Sequence, residues 1–314
     1  MRILVTGGAG FIGSHLVRRL LDSGHDVISI DNLNSYYDPK LKQARLRDIA
    51  SGVKNYRIDI AQEDALEKVF QKHSFDCIYH LAAQAGVRYS LENPFVYADA
   101  NYKGTLNIFE LARRHGIKRV VFASSSSVYG KDAVPFREDM KVDTPVSIYA
   151  ASKRAGELLG HSYAHLFGMN ITCLRFFTVY GPYGRPDMSP HTFTKAILEG
   201  KPITFFNKGR MKRDFTYVDD IVEGLMAALR KPKGFEIINL GCGNPTSLRD
   251  FVNAFESALR KKAKIKYAPL QAGDMVETYA DIAKAKKLLG YTPKTAVEEG
   301  VERFVRWYTD YYSA

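Results

Sequence analysis

The chain has 314 residues, long enough to bury one large core and a smaller lobe, and 46% of them are hydrophobic and 25% charged, as in soluble globular proteins. No apolar run reaches the roughly 18 residues of a membrane span, so no membrane partner is expected. The formal net charge of +11 is dispersed, and its densest run, Arg260-Lys-Lys-Ala-Lys-Ile-Lys266, reads as a helix end entering a strand. Such charge suits solubility or attraction to a small anion and argues against a nucleic-acid module.

Ile3-Leu4-Val5 reads as a buried strand that turns through glycines into a helix with apolar period at Phe11, Ile12, Leu16, Val17, Leu20 and Leu21, ended by Gly24. Gly8, Gly10 and Gly13 fit G-x-G-x-x-G, and Gly7, Gly10 and Gly13 equally fit G-x-x-G-x-x-G. Either frame brings a pyrophosphate to a helix N-terminus, where free N–H groups and the helix dipole favour anions. A second strand, 26–30, ends at Asp31, 18 residues beyond Gly13 (31 − 13). An acidic side chain there accepts ribose hydroxyls, and with no cationic substitute nearby it favours NAD over NADP. A glycine-rich turn with no ligand is the bland alternative, and the strand, turn, helix, strand and Asp order weighs against it.

Further along, a third strand is expected over 56–60, a helix over 63–72, a fourth strand over 75–81 and a fifth over 119–124. Asn93 and Pro94 open a long helix, as cap and first turn, that ends at Gly116. The alternation predicts an α/β fold: a Rossmann-type doubly wound parallel sheet with ligands at its carboxyl edge, and a smaller mixed α/β C-terminal substrate lobe. The expected division is 1–179 for nucleotide binding and 180–314 mainly for substrate, with 215–242, including a strand at 235–240, returning to the first domain. A helix over 247–260 opens with Ser247 and Asp250 at capping-box spacing. Cys77, Cys173 and Cys242 are widely spaced in or beside apolar runs, which reads as buried reduced thiols of a cytoplasmic protein with no metal site.

The chemistry-bearing stretch begins at Ser124-Ser-Ser-Ser-Val-Tyr-Gly130, which alone could be a polar loop. Tyr149 and Lys153 follow, one turn apart on a predicted helix, and so share a face. A free tyrosine with a pKa of about 10 is ionised about once in a thousand molecules at pH 7. Lowering that value to about 7 takes roughly 4 kcal/mol of preferential stabilisation of the phenolate. A neighbouring ammonium and the positive nicotinamide ring are the expected sources, and the phenolate would then serve as a base while hydride leaves to NAD.

These features resemble the extended short-chain dehydrogenase/reductase family over essentially the whole chain. The resemblance is carried by Thr6-Gly-Gly-Ala-Gly-Phe-Ile-Gly13, Asp31-Asn32, Asp59-Ile60, His80-Leu-Ala-Ala83, Asn101, the serine loop, Tyr149-x-x-x-Lys153 and Arg213-Asp214-Phe215. It implies Tyr149 as base, Lys153 as the group holding tyrosine and nicotinamide ribose, and Ser125 as the third catalytic position. It also implies cofactor contacts from Gly7, Gly10, Phe11, Ile12, Gly13, Asp31, Asn32, Asp59, Ile60, Leu81, Ala82, Ala83, Gln84, Asn101 and Ser124, besides Tyr149 and Lys153.

Within that family the chain is most similar to nucleotide-sugar epimerases acting at carbon 4 of UDP-glucuronate, through segments 31–38, 83–90, 175–188 and 212–217. The resemblance implies oxidation to a 4-keto sugar, rotation in the pocket and return of the hydride to the other face. A 4-keto uronic acid is a β-keto acid, so its carboxylate must be held. Ser126, Ser127, Thr178, Arg88 and Arg185 are the candidates by chemical type, Arg213 is the candidate clamp on the diphosphate, and Asp274 is a further substrate contact. Dehydratases of the family carry Thr-Asp-Glu where Ser125-Ser126-Ser127 stand, and decarboxylating relatives carry Glu at Ser127, so neither activity is expected. Two alternatives stay open: a UDP-glucose/UDP-galactose 4-epimerase, and a non-catalytic nucleotide-binding sensor. Helices near 93–115 and 147–167 are expected to pair two subunits in a homodimer, as in relatives.

Overall fold

The computed structural model describes residues 1–230, 233–269 and 275–312. Seven parallel strands form the main sheet, in the spatial order Phe235–Leu240, Asn170–Phe176, Arg119–Ser125, Cys77–His80, Arg2–Thr6, Asp26–Ile30 and Lys54–Tyr56. The chain winds outward from Arg2–Thr6 in one direction and then, from Cys77–His80, in the other. That reversal leaves a crevice beyond the carboxyl ends of the central strands, where doubly wound sheets bind ligands. Strands covered on both faces need apolar side chains throughout, and Ile3, Leu4, Val5, Ile78, Val120, Ile171 and Ile238 are all fully buried.

Helices Phe11–Asp22 and Val218–Ala228 pack together on one side of the sheet, and Arg19 bonds Glu223 between them at 2.7 Å. Helix Ile148–Phe167 opens at Ser147, whose hydroxyl caps the Ala150 N–H at 3.1 Å, a contact worth about 1 kcal/mol. It lies close on the other face because residue 156 is glycine: a Cβ there would come within 2.3 Å of the Phe122 ring.

Two local readings change. The third strand is Lys54–Tyr56 rather than 56–60. Beyond Tyr56 the Asp59 carboxylate accepts from the Ala61 N–H and from Asn32 Nδ2, both at 2.9 Å, and this turns the chain out of the sheet. The alternating Ile58 and Ile60 gave a strand pattern that these polar bonds override. The long helix begins at Phe95, with Pro94 at the cap position and the Asn93 amide directed at the Tyr89 hydroxyl. It then passes through a π-helical turn, Ala98–Lys103, before Gly104–Arg114.

Helices Ser189–Glu199, Leu248–Leu259 and Val297–Tyr312 pack on one another. Phe215 stacks on Phe251 with ring centroids 3.6 Å apart, and His191 is ringed by Phe304, Trp307 and Tyr308. Ser247 caps the Asp250 N–H at 3.0 Å, and its own hydroxyl donates to the Asp250 carboxylate. Cys77 and Cys173 are buried thiols, whereas Cys242 is half-buried. Among the described residues no helix is long and apolar enough to cross a membrane, and no group of side chains could hold a metal ion.

Candidate active site

The glycine turn resolves its two frames. Gly7 has φ +76°, a conformation glycine adopts at little cost, and a Cβ on it would lie 2.7 Å from the Ala82 nitrogen. A Cβ on Gly13 would lie 2.0 Å from the Gly7 carbonyl. Gly8 instead packs back against Ser29, so the glycines facing the cleft are Gly7, Gly10 and Gly13. Helix Phe11–Asp22 has no side-chain cap and no acidic residue in its first turn. Its N–H groups and positive dipole end are therefore open to an anion.

One cleft of about 470 Å³ gathers most of the predicted residues. Gly7, Gly10, Phe11, Ile12 and Gly13 line it with Asp31, Asn32, Asp59 and Ile60, then Leu81, Ala82, Ala83 and Gln84. Ser124, Ser125, Ser126 and Ser127, Tyr149 and Lys153, and Thr178 and Arg185 complete the set. Asp31 accepts from the N–H groups of Ala9 at 3.2 Å and Leu33 at 2.9 Å. Burial raises its pKa, and the Leu33 bond and the charges of Lys42 and Arg45 oppose that rise.

Three predicted contacts lie outside the lining of this cleft. Asn101 sits one layer behind the cleft wall, on the π-helical turn. Its side chain accepts from the Gln84 N–H at 2.7 Å and donates to the Gln84 carbonyl at 3.0 Å and to Ser152 at 2.9 Å, so it braces Gln84. Arg88 lies over the Phe206 ring, 5.9 Å from its centroid, outside the cleft lining. Arg213 also lies outside that lining; it donates to the carbonyls of Lys212 at 2.8 Å and Val276 at 3.3 Å, which tie it to its own small sheet. Asp274 lies outside the described residues.

Tyr149 is half-buried at the base of the cleft. Burial raises its pKa, while a hydrogen bond with Ser125 and the positive charge of Arg185 lower it. Of the four serines, Ser125 is thus the partner of Tyr149; its Oγ also accepts from the Ser127 N–H at 3.2 Å. Ser124 points the other way, donating to Glu157 at 2.6 Å. Lys153 Nζ donates to the Ala123 carbonyl at 2.8 Å and lies 5.2 Å from the Phe122 ring centroid. Burial lowers its pKa to about 8, against the pull of Glu157.

Beneath the serines, Glu157 is fully buried and bonds Arg175 through two contacts of 2.8 Å. At the other wall Arg185 holds Asp187 through Nε and Nη2, and Tyr36 donates to the same carboxylate at 3.3 Å. Tyr36, Tyr37 and Lys42 line the cleft without having been assigned from sequence. Lys42 Nζ donates to Asn34 at 2.7 Å, and its charge acts on Asp31, so the premise that no cation stands near Asp31 is corrected. The signal was available: Asp38 caps the Lys40 N–H at 2.9 Å and Pro39 starts helix Pro39–Ala44, which presents Lys42.

The chemistry available is that of a dinucleotide cradle joined to a phenol, a serine and a guanidinium. NAD fits: its diphosphate suits the uncapped N-terminus of helix Phe11–Asp22, which the close glycine packing holds at the cleft, and its adenosine ribose suits the Asp31 carboxylate. The model of the NAD dependent epimerase/dehydratase family matches residues 3–241. The chain is 50% identical to a UDP-glucuronate 4-epimerase of Thermodesulfobacterium geofontis, over 97% of this chain and 95% of that one. It is 38% identical, with a TM-score of 0.92, to a UDP-glucuronic acid 4-epimerase from Bacillus cereus solved with UDP-glucuronic acid and NAD, covering 99% of this chain and 100% of that one. A Thermotoga maritima UDP-glucose 4-epimerase solved with UDP-glucose is 32% identical with a TM-score of 0.91, over 99% and 100%. With its glycine cradle, Asp31 and the Tyr149 and Lys153 helix in one cleft, the chain belongs to the NAD dependent epimerase/dehydratase family.

Proposed function

We propose that this protein interconverts UDP-glucuronate and UDP-galacturonate at carbon 4 through a 4-keto sugar. The observation that carries the reading is one cleft that joins a dinucleotide cradle to Tyr149, Ser125, Ser126, Ser127, Thr178 and Arg185. NAD, when bound, supplies the acceptor and donor of the carbon 4 hydride. Tyr149 removes the proton of the 4-hydroxyl and later returns it. Ser125 shares the hydrogen bond to the reacting oxygen, and Arg185 stabilises the phenolate by its charge. Lys153, anchored on Ala123, presents an ammonium to the cofactor side of the cleft.

A 4-keto uronic acid loses carbon dioxide when the bond to its carboxylate aligns with the ketone. Ser127 and Thr178 offer hydroxyl donors that hold the carboxylate out of that alignment. Arg185 adds charge in the same cleft, with its orientation set by the two-point bond to Asp187. Purified protein given UDP-glucuronate and no added NAD forms UDP-galacturonate. A pentose product, or turnover confined to UDP-glucose, overturns the substrate reading.

The active unit in this reading is a homodimer in the cytoplasm. Helices Phe95–Tyr97, Gly104–Arg114 and Ile148–Phe167, with the π-helical turn between the first two, carry the exposed apolar side chains Phe95, Tyr102, Leu158 and Leu166. A face of that kind favours a second copy. Sedimentation at micromolar protein tests it, and a monomer there refutes it. The unpaired thiols are compatible with a reducing compartment.

A further inference from the structure

Arg45 opens the π-helical turn Arg45–Ile49, just after helix Pro39–Ala44, and its side chain is fully buried. Its guanidinium reaches three separate segments. Nη1 donates to the Ala9 carbonyl, inside the glycine turn, at 3.2 Å and to the Tyr37 hydroxyl. Nε and Nη2 donate to the Tyr183 carbonyl at 3.0 and 2.8 Å, and Nη2 also reaches the Gly184 carbonyl at 3.2 Å. Each acceptor is a neutral oxygen, so a buried charge is spent on joining backbone segments.

The segment it grips needs holding. Tyr183 has φ +58°, in the left-handed region that a residue with a Cβ seldom adopts. The next residue but one is Arg185, whose charge acts on Tyr149. The Tyr183 side chain is pinned from the same turn, since its hydroxyl donates to Asp48 at 3.0 Å. His191, on helix Ser189–Glu199, approaches the Gly184 carbonyl at 3.0 Å.

We infer that Arg45 is a positioning residue that fixes the glycine turn against the Tyr183-Gly184 segment, and so sets where Arg185 stands relative to Tyr149. The cofactor half and the substrate half of the cleft are thereby registered to each other through one planar fork. The inference rests on Arg185 serving the substrate side of the cleft. An ammonium cannot replace the fork, because a point donor does not span Ala9 and the two carbonyls at once.

The test is a double-mutant cycle on the holoenzyme with Arg45→Gln and Arg185→Gln. It uses whichever of UDP-glucuronate and UDP-glucose the wild type turns over, so the substrate reading and the coupling fail separately. Arg45→Gln lowers kcat/KM by about 10²-fold, the cost of an ångström-scale misplacement. In the Arg185→Gln background the same change costs less than about threefold, because the group it positions is gone. Arg45→Lys, which keeps charge and bulk, carries the same cycle if the glutamine variant does not fold, and it shows the same non-additive loss. Equal losses in both backgrounds, or full activity in Arg45→Lys, overturn the inference.

Discussion

Lys153 stands one helical turn beyond Tyr149, yet its ammonium is bonded to the Ala123 carbonyl at 2.8 Å. The groups that favour the phenolate are Ser125 and Arg185, both opposing the effect of burial. The Ala123 carbonyl thereby fixes where the ammonium stands in the cleft that Tyr149 also lines.

Arg185→Gln tests the contribution of the guanidinium. Removing the positive charge raises the Tyr149 pKa, so less phenolate is present at neutral pH. The rate at pH 7 falls, and the acidic limb of the pH–rate profile moves to higher pH. A limb that stays in place while only KM rises contradicts the assignment.

Tyr149→Phe removes the base and leaves the ring. Turnover falls by about 10²–10⁴-fold, the usual contribution of a positioned acid or base, while bound NAD in the purified protein is unchanged. Unaltered activity rules out the phenol as the proton carrier.

Legibility followed sequence distance. The glycine turn, Asp31 and the Tyr149 and Lys153 helix were readable because each depends on residues close along the chain, where periodicity and turn chemistry act. Ser125 was named by the resemblance and not by the run of four serines itself, because which of them meets Tyr149 depends on how the 3-10 turn Ser126–Tyr129 leaves the strand. Asn101 was placed in the cleft by resemblance, but the π-helical turn aims it at Gln84 and Ser152 instead. Arg88 and Arg213 had the right charge for a sugar diphosphate or carboxylate, and long-range packing took them to Phe206 and Val276. Arg45 escaped notice because most of its acceptors are backbone carbonyls distant in sequence, which leave no pattern.

Gly13→Ala places a methyl where the Gly7 carbonyl already stands, at 2.0 Å. The helix must shift from the turn, with an overpacking cost of about 1–3 kcal/mol. The variant folds with a lowered melting temperature and is purified without NAD, as measured by nucleotide released on denaturation. Full NAD occupancy in this variant contradicts the placement of the diphosphate against the turn.

Glu157→Gln removes the counter-charge of a buried guanidinium. Arg175 is 1% exposed and Glu157 0%, so solvent cannot take the carboxylate's place. Breaking one side of such a pair costs about 3–5 kcal/mol, read by denaturant unfolding. A loss below about 1 kcal/mol shows that Arg154 and Ser124, the other partners of Glu157, carry the site without the charge.

Acid sensitivity follows from three histidines held neutral inside the fold, His15, His80 and His191. Burial lowers the pKa of His80 to about 3 and those of His15 and His191 to about 4, from an ordinary value near 6.5. His80 lies between the hydroxyls of Thr6 at 2.7 Å and Thr105 at 3.0 Å, which suit a neutral ring that donates once and accepts once. Below pH 6.5 the unfolded chain takes up protons that the folded chain refuses, so stability is complete above that pH and is lost as pH falls. Each such histidine contributes a slope approaching about 1.4 kcal/mol per pH unit between its unfolded and folded values. Most carboxylates remain ionised above pH 5, so histidines dominate the window from pH 6.5 to 5. Urea unfolding across that window gives a falling free energy in the wild type and a shallower fall in His80→Gln. Identical slopes in the two proteins refute a neutral His80 as a source of the acid sensitivity.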